Sequence, residues 1–385
     1  MNSPTQKRSI AISLPFTGEA EWQAVREPIF SGWLTQGPKV AAFEKAFSDR
    51  HQVPYALAAS SCTTALHLIL SALGIGPGDE VLVPAFTWVA TANVVIYCGA
   101  APVFVDVCPD SYNIDPEKIR ARLTPKTKAI IAVHLFGRCA DIDAIRAAAP
   151  GLPIIEDAAC AAGSSYRGRS AGSLGVAAAF SFHPRKSITT GEGGMVTTED
   201  PDLAEKINCL RNHGASISEE QRHNGPHPYL LPDFNLLGFN YRMTDLQGAI
   251  GSVQLQKLDQ FIAEREQWAS FYTEKLADLP WLKTPTKPHG DIHGWQSYVC
   301  TVVETSARVP RNEIMERLQN DWGISTRPGT HAVHQLGYYR ERFGLKPEDY
   351  PVARDCDRYT LAIPLHNRMS PEDYSYVVEA LHSVT

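Results

Sequence analysis

Lys186 stands in the stretch FSFHPRKSITTGEGGMV, from Phe180 to Val196, between small apolar residues and a run of Thr, Gly and Glu. A lysine bound for solvent needs no such frame. A lysine that must meet an aldehyde at close quarters does, because its amine then acts as the nucleophile of a Schiff base. Three other places carry groups that would serve such a carbonyl compound. IIEDAAC puts Asp157 at the end of an apolar run, where a carboxylate would hold a ring nitrogen protonated. The other reading of Asp157 is a helix cap or loop acid. ASSCTTALHL places Ser60 to Thr64 between a strand and a helix. Hydroxyls and free N–H groups there would bind phosphate with the help of the helix dipole, or simply cap the helix. FTWVATA sets Trp88 just after another strand, where the indole would lie on a flat ring or pack in the core. An amine, an anion, a phosphate cradle and a flat aromatic are together what pyridoxal phosphate requires.

The elements that must bring these residues together are legible in outline. From about Pro54 to Thr198 short apolar runs alternate with helical patterns. EVLVPAF, APVFVDV, KAIIAVHLF and LPIIEDA read as buried strands, and TALHLILSAL, TWVATANVVIYC and DIDAIRAAAP as helices. That alternation predicts an α/β fold with a parallel sheet covered on both faces, and ligands gather at the carboxyl ends of such strands. Side chains alternate along a strand, so Glu156 is expected to point away from Asp157. After Pro201 the pattern changes. DLAEKINCLRNHG reads as a helix stopped by Gly214, and Ala215 to Asn235 as a polar, Pro-rich loop. A long helix is expected after Thr244 as N-cap, leading into a smaller domain with QSYVCTVVE as a strand and RNEIMERLQNDWG as a helix. We place a large cofactor-binding domain with an N-terminal arm at 1–250 and a small domain at 251–385. No internal repeat or low-complexity segment interrupts them.

Bulk composition excludes several classes. A chain of 385 residues is too long for one small core, and 44% hydrophobic with 20% charged residues suits a soluble enzyme. The net charge of −6 argues against nucleic acid as a partner, since that needs a basic surface. No stretch reads as a signal peptide, and none approaches the ~20 apolar residues of a membrane span. The eight cysteines are scattered without a CxxC pair, which suits reduced thiols in the cytoplasm. GIGPGDE joins a helix to a strand, the reverse of a dinucleotide fingerprint, and GEGGMV lacks the third glycine. His183, His213 and His331 have no metal-ligand spacing, so no metal is expected. His183 stands near Lys186 as either a structural or a catalytic imidazole.

On SGWLTQGPKVAAFEKAF, CTTALHL, GPGDEVLVPAFTWVATANVVIYCGAAPVFVDV, IIEDAAC, GSLGVAAAFSFHPRKSITTGEGGMVTT, RNHG and GFNYRMTDLQGAIGSVQLQKLD, the sequence resembles the DegT/StrS-type sugar aminotransferases. These are fold-type I pyridoxal-phosphate enzymes, and the match runs over nearly the whole chain. The resemblance implies a mostly parallel central sheet with flanking helices and a smaller α/β C-terminal domain. It implies that Lys186 is the Schiff-base lysine, Asp157 the partner of the pyridine nitrogen and Trp88 the stacking aromatic. Cys62 and Thr63 match the phosphate-binding pair and Ser181 a hydroxyl that also reaches the phosphate. Asn240 matches a residue that reaches the phosphate in the neighbouring subunit, so the resemblance implies a homodimer with shared sites. Two positions depart from the family's usual residues. Cys62 stands where Gly is common, and Cys160 where Gln or His often meets the cofactor's phenolic oxygen.

The activity implied is transfer of an amino group from L-glutamate to a nucleotide-linked keto-deoxysugar, with Lys186 as nucleophile and then general base. Arg327 and His331, in STRPGTHAVHQLGYY, are candidates for meeting the substrate along with His183, with surface or packing roles as their other reading. A sugar dehydratase on the same fold is the nearest rival. In those relatives His replaces the Schiff-base lysine, whereas this chain keeps Lys186. A cofactor-binding regulator without turnover is the rival from another class.

Overall fold

The computed structural model describes residues 7–217, 222–223, 225–227 and 229–384. Residues 218–221, 224 and 228 of the expected loop therefore lie outside the described residues. Seven strands form the large sheet: β1 Tyr55–Ala59, β2 Glu80–Pro84, β3 Ala101–Val105, β4 Thr127–Val133, β5 Ile154–Asp157, β6 Ala177–Ser181 and β7 Gly194–Thr198. Their order is β1-β7-β6-β5-β4-β2-β3. The four strands expected from apolar runs lie side by side as β5-β4-β2-β3, all parallel. Strand β7 is antiparallel to both neighbours and makes the sheet mostly rather than wholly parallel. It returns from β6 by the loop that carries Lys186, a short reversal that only an antiparallel pair permits. Apolar clusters cover both faces, as a sheet flanked by helices demands.

Three helices meet their sequence signals: Cys62–Ala72, capped by Ser61; Ala90–Tyr97; and Ile142–Ala148, capped by Asp141. The helix after Pro201 does not run on to Gly214. It ends at Leu210, and a turn follows in which His213 (φ 60°) and Gly214 (φ 83°) are left-handed. The left-handed pair closes the helix, with Gly214 N turned back to Cys209 O at 2.8 Å, while the buried Arg211 guanidinium donates to Ala58 O at 2.7 Å and pairs with Glu44 at 2.5 Å.

The long helix, Asp245–Lys275, is capped by Thr244, whose hydroxyl accepts from Gln247 N. Its first half packs Leu255, Leu258, Phe261 and Ile262 onto the large sheet's helix layer, and its second half carries Ala269 and Tyr272 into a second core. That core underlies a small antiparallel sheet of β8 Leu282–Lys283, β9 Tyr298–Val302 and β10 Thr360–Ile363. The expected helix from Arg311 runs to Arg317 and continues as a wider turn to Trp322. Ile10 of the arm also lies in this second core and bridges to Ile324.

One side chain joins the long helix to the start of the fold. Helix Pro38–His51 begins at Gly37, which has no side chain to cap it. Buried Asp245 caps it from a distance. Its Oδ1 accepts from Gly37 N at 2.8 Å and Val40 N at 3.0 Å, and its Oδ2 from Lys39 N at 3.1 Å. Asp245→Ala leaves these donors without a partner, and a buried unsatisfied group costs about 1–3 kcal/mol. We expect a loss of roughly 3 kcal/mol in denaturant unfolding with an unchanged slope; a loss below ~1 kcal/mol would show that water replaces the cap.

Candidate active site

Strand β5 ends in adjacent carboxylates that the pleat sends to opposite faces. Glu156 enters the core. Ala140 N donates to His134 Nδ1 at 3.0 Å, which leaves His134 Nε2 to donate to Glu156 at 2.8 Å. The N–H groups of Gly172, Leu174 and Gly175 add bonds of 2.8, 2.7 and 2.8 Å. Burial alone would raise its pKa, yet these donors hold it below the ordinary carboxylate value. Glu156 is a satisfied structural anion.

Asp157 faces the other way and is also buried. Its Oδ2 accepts from Thr91 Oγ1 at 2.8 Å and its Oδ1 from Ala159 N at 3.2 Å, with Cys62 Sγ 3.9 Å from Oδ1. None of these donors is a cation. Burial pushes the Asp157 carboxyl above its ordinary value, against the opposing pull of Thr91, Ala159 and the Lys186 charge. A buried anion of this kind calls for a cation from outside the chain.

Lys186 lies on the loop between β6 and β7. The loop is closed by Phe182 N to Gly193 O at 2.9 Å, Thr190 N to Phe182 O at 3.0 Å and Thr189 Oγ1 to Phe182 O at 2.8 Å. Gln254 of the long helix receives Thr189 N at 3.2 Å. The Lys186 Nζ meets Cys160 Sγ at 3.3 Å. Cys160 therefore reaches the lysine amine, a contact the sequence did not suggest.

The candidate phosphate-binding residues come together where three strands line up. Ala59, Gly194 and Ser181 are successive register partners across β1, β7 and β6. A Cβ on Gly194 would lie 2.4 Å from Ser61 C and 2.6 Å from Cys62 N, so only glycine lets the helix start approach the sheet. Ser61 and Thr64 satisfy each other as a capping box, which leaves the N–H groups of Cys62 and Thr63 without an intrahelical partner. Cys62 offers only its main chain to this cradle, because its Sγ turns back to Ala179 O at 3.5 Å and toward Asp157.

Trp88 is 59% exposed, its ring 5.8 Å from that of His331. Pairing of Thr87 with His331 brings the segment around His331 to it. His183 Nδ1 accepts from Arg185 N at 3.2 Å, and burial lowers the His183 pKa, with Lys186 and Arg185 adding to the effect and Glu192 opposing it. Arg327 is half-buried, with Nη2 3.5 Å from Ser297 Oγ. Asn240 is exposed and bridges Asn212 through its main chain, while the next residue, Tyr241, takes Ser60 N at 2.9 Å. Sequence reasoning missed Thr91, one helical turn beyond Trp88, whose hydroxyl orients Asp157. It also missed Gln296, whose Nε2 holds Arg185 O at 2.8 Å.

These residues fit pyridoxal phosphate: an amine at Lys186, a buried anion lacking a cation at Asp157, an open indole, and free N–H groups at a helix start. Asp157 also yields a prediction for the cofactor-free protein. Because folding raises its pKa, the ionised carboxylate destabilises the fold at neutral pH, and this cost disappears once acid protonates it in both states. Asp157→Asn should therefore raise the melting temperature of the cofactor-free protein at pH 7. The gain should shrink as pH falls through the carboxylate range, while cofactor retention drops. A lower melting temperature at pH 7 would show that the ionised form is the stabilising one.

The DegT/DnrJ/EryC1/StrS aminotransferase family matches residues 15–382 of this chain. The spore coat polysaccharide biosynthesis protein SpsC of Bacillus subtilis (strain 168) is 42% identical, with 98% of each chain covered. Among solved structures, the sugar aminotransferase Spr1654 of Streptococcus pneumoniae in its PMP form superposes with a TM-score of 0.89 at 29% identity, covering 98% of both chains. PseC of Helicobacter pylori, an aminotransferase of pseudoaminic acid biosynthesis, gives 0.90 at 27% identity over 98% of this chain and 99% of its own. The loop lysine and the buried strand-end aspartate thus lie within a full-length match, and the chain belongs to the DegT/DnrJ/EryC1/StrS family of pyridoxal-phosphate-dependent sugar aminotransferases.

Proposed function

We propose that the protein moves the amino group of L-glutamate to the ketone of a nucleotide-linked keto-deoxysugar, in the cytoplasm, as a homodimer with shared sites. The observation that carries this reading is the buried Asp157, held by Thr91 and Ala159 without a contacting cation, with Lys186 near enough for its charge to act on it. When bound, pyridoxal phosphate supplies the aldehyde and the electron-accepting ring on which amino transfer depends. The chain supplies position and proton transfer. Lys186 Nζ would hold the cofactor's aldehyde, and as a free amine it would carry the proton to and from the carbon that loses or gains the amino group. Asp157, held by Thr91 and Ala159, would meet the ring nitrogen. Trp88 would cover one face of the ring, and Cys62 N–H, Thr63 and Ser181 would receive the phosphate, with Cys160 beside the lysine. His183, Arg327 and His331 line the side from which substrate enters.

The shared-site dimer draws support from an apolar stretch before Asn240. Tyr229, Leu231, Phe234 and Leu237 are exposed, Leu231 by 82% and Leu237 by 93%, more apolar surface than an isolated loop should leave in water. Covering it with a second copy would carry Asn240 toward the partner's phosphate cradle, and a closed two-fold dimer would use that contact twice.

Borohydride treatment of the loaded protein should fix a pyridoxyl group on the Lys186 peptide, and Lys186→Ala should lower turnover by at least ~10³-fold. Amino transfer from glutamate to a panel of nucleotide-linked ketosugars tests the substrate class. A label on another lysine would overturn the assignment. For the shared site, Asn240→Asp and Lys186→Ala proteins, each nearly inactive, should regain part of their activity after subunit exchange, because one site of the mixed dimer is then intact. Exchange without recovery would place the Asn240 contact within one chain.

A further inference from the structure

The amine that would hold the cofactor's aldehyde already has a neighbour. Cys160 lies in the turn that leaves β5, and its Sγ meets Lys186 Nζ at 3.3 Å. Among the described residues neither atom has another hydrogen-bond or ion-pair partner. The main chains on both sides are fixed. Ala158 N donates to Ala179 O and Ala161 N to Ala158 O, each at 2.9 Å, which ties the turn to β6, and Lys186 N donates to His183 O at 2.9 Å. Both residues are half-buried, so a small oxidant can reach them. Cys62, the other thiol near this lysine, differs in each respect. It is buried, its Sγ turns to Ala179 O at 3.5 Å with Asp157 Oδ1 at 3.9 Å, and burial pushes its thiol well up. A structural thiol of that kind is inert. Cys160 is therefore half of a pair: an open sulfur held against a nucleophilic nitrogen.

We propose that Cys160 and Lys186 form a peroxide-responsive pair, in which oxidation joins Sγ to Nζ as a sulfenamide and takes the amine away from the cofactor. The bond itself rests on the contact, and its effect on the cofactor rests on Lys186 as the Schiff-base lysine. In the first step hydrogen peroxide takes two electrons from the Cys160 thiol, which becomes a sulfenic acid while one water leaves. Sulfenic acids condense with a nearby thiol or nitrogen. In the second step the neutral Lys186 amine attacks the sulfur. An S–N bond forms, the S–O bond breaks, and the hydroxyl leaves with the amine's proton as a second water. Thiol and amine have then lost one hydrogen each, and the peroxide has become two waters. The flexible four-carbon stem of lysine closes the remaining gap. A dithiol reverses the reaction by returning the two hydrogens and closing to its own disulfide. The state of the site decides the response. A lysine that already holds the aldehyde has no free amine to give, so the loaded protein is protected. The cofactor-free protein is open to the reaction.

The test treats the cofactor-free wild-type protein with hydrogen peroxide and maps its peptides by mass. The Cys160 and Lys186 peptides should appear joined and two hydrogens lighter than their sum. Uptake of pyridoxal phosphate, read from the cofactor absorbance, should fall in proportion to the joined fraction, and dithiothreitol should restore both. Protein loaded before treatment should give no joined peptide. Cys160→Ser, treated in the same way, should keep the uptake it shows untreated. The link is read on the wild-type chain, so the proposal can fail without any variant. A disulfide between Cys62 and Cys160 in place of the link overturns it, as does oxidation of Cys160 to the sulfinic acid with Lys186 left free. An equal loss of uptake in treated Cys160→Ser places the lesion elsewhere and also overturns it. A pyridoxyl label on another lysine would remove the Schiff-base role and leave the Cys160–Lys186 link standing, so the two failures are told apart.

Discussion

A buried carboxylate that no cation among the described residues touches is the constraint around which this fold is arranged. Taking a carboxylate out of water costs several kcal/mol unless donors and an opposite charge replace the solvent. The two acids that end β5 meet that cost differently. Glu156 collects a histidine and three main-chain amides and has no further need. Asp157 has one hydroxyl and one amide and stays raised in pKa. On the proposed reading, a protonated pyridine ring would supply the opposite charge, and the cost of burying Asp157 would be offset when the cofactor binds.

The rest of the site follows from the sheet that sets Asp157 in place. Parallel strands send their carboxyl ends to one edge, so β5 delivers Asp157 there while the turn after β2 delivers Trp88 and Thr91. The one antiparallel strand, β7, brings Gly194 to the same edge beside Ser181 and allows the helix from Cys62 to start against it. A side chain at residue 194 would push that helix start away, and the free N–H groups of Cys62 and Thr63 would lose their position over the sheet.

Much of this was legible before any coordinates. The apolar runs gave four adjacent strands, Thr244 gave the start of the long helix, and the frame around Lys186 marked the lysine among many. Alternation along β5 was enough to send Glu156 and Asp157 to opposite faces. What local pattern does not carry is the direction of a small side chain at a junction. The Cys62 thiol lies under Asp157, and the Cys160 thiol reaches Lys186, because neighbouring strands, not their own residues, decide which side is open. Thr91 and Gln296 escaped notice for a related reason. A hydroxyl on an apolar helix and an amide before a strand look ordinary until a partner distant in sequence is brought to them. The helix that ended early at Leu210 shows the same limit, since His213 N is taken by Phe239 O, a partner distant in sequence, and the chain turns left-handed there.

The seam between the two cores shows where local strain is accepted to keep the mouth of the site in register. Phe136 and Trp295 are both left-handed, with φ of 58° and 42°, conformations that cost bulky residues about 1–3 kcal/mol each. They face each other. Gly294 N donates to Gly137 O at 2.9 Å and Gln296 N to Phe136 O at 3.1 Å, and a Cβ on Gly137 would lie 2.8 Å from Trp295 N. Relaxing either residue would move the main chain that follows Trp295. That main chain carries Gln296, which holds Arg185, and Ser297, which meets Arg327. The strained seam therefore acts on the cation side of the opening as the sheet acts on Asp157. The sheet fixes Asp157 and the seam fixes the main chain at Arg185, and the loop that carries Lys186 is tied to Gln254 of the long helix and to Gln296.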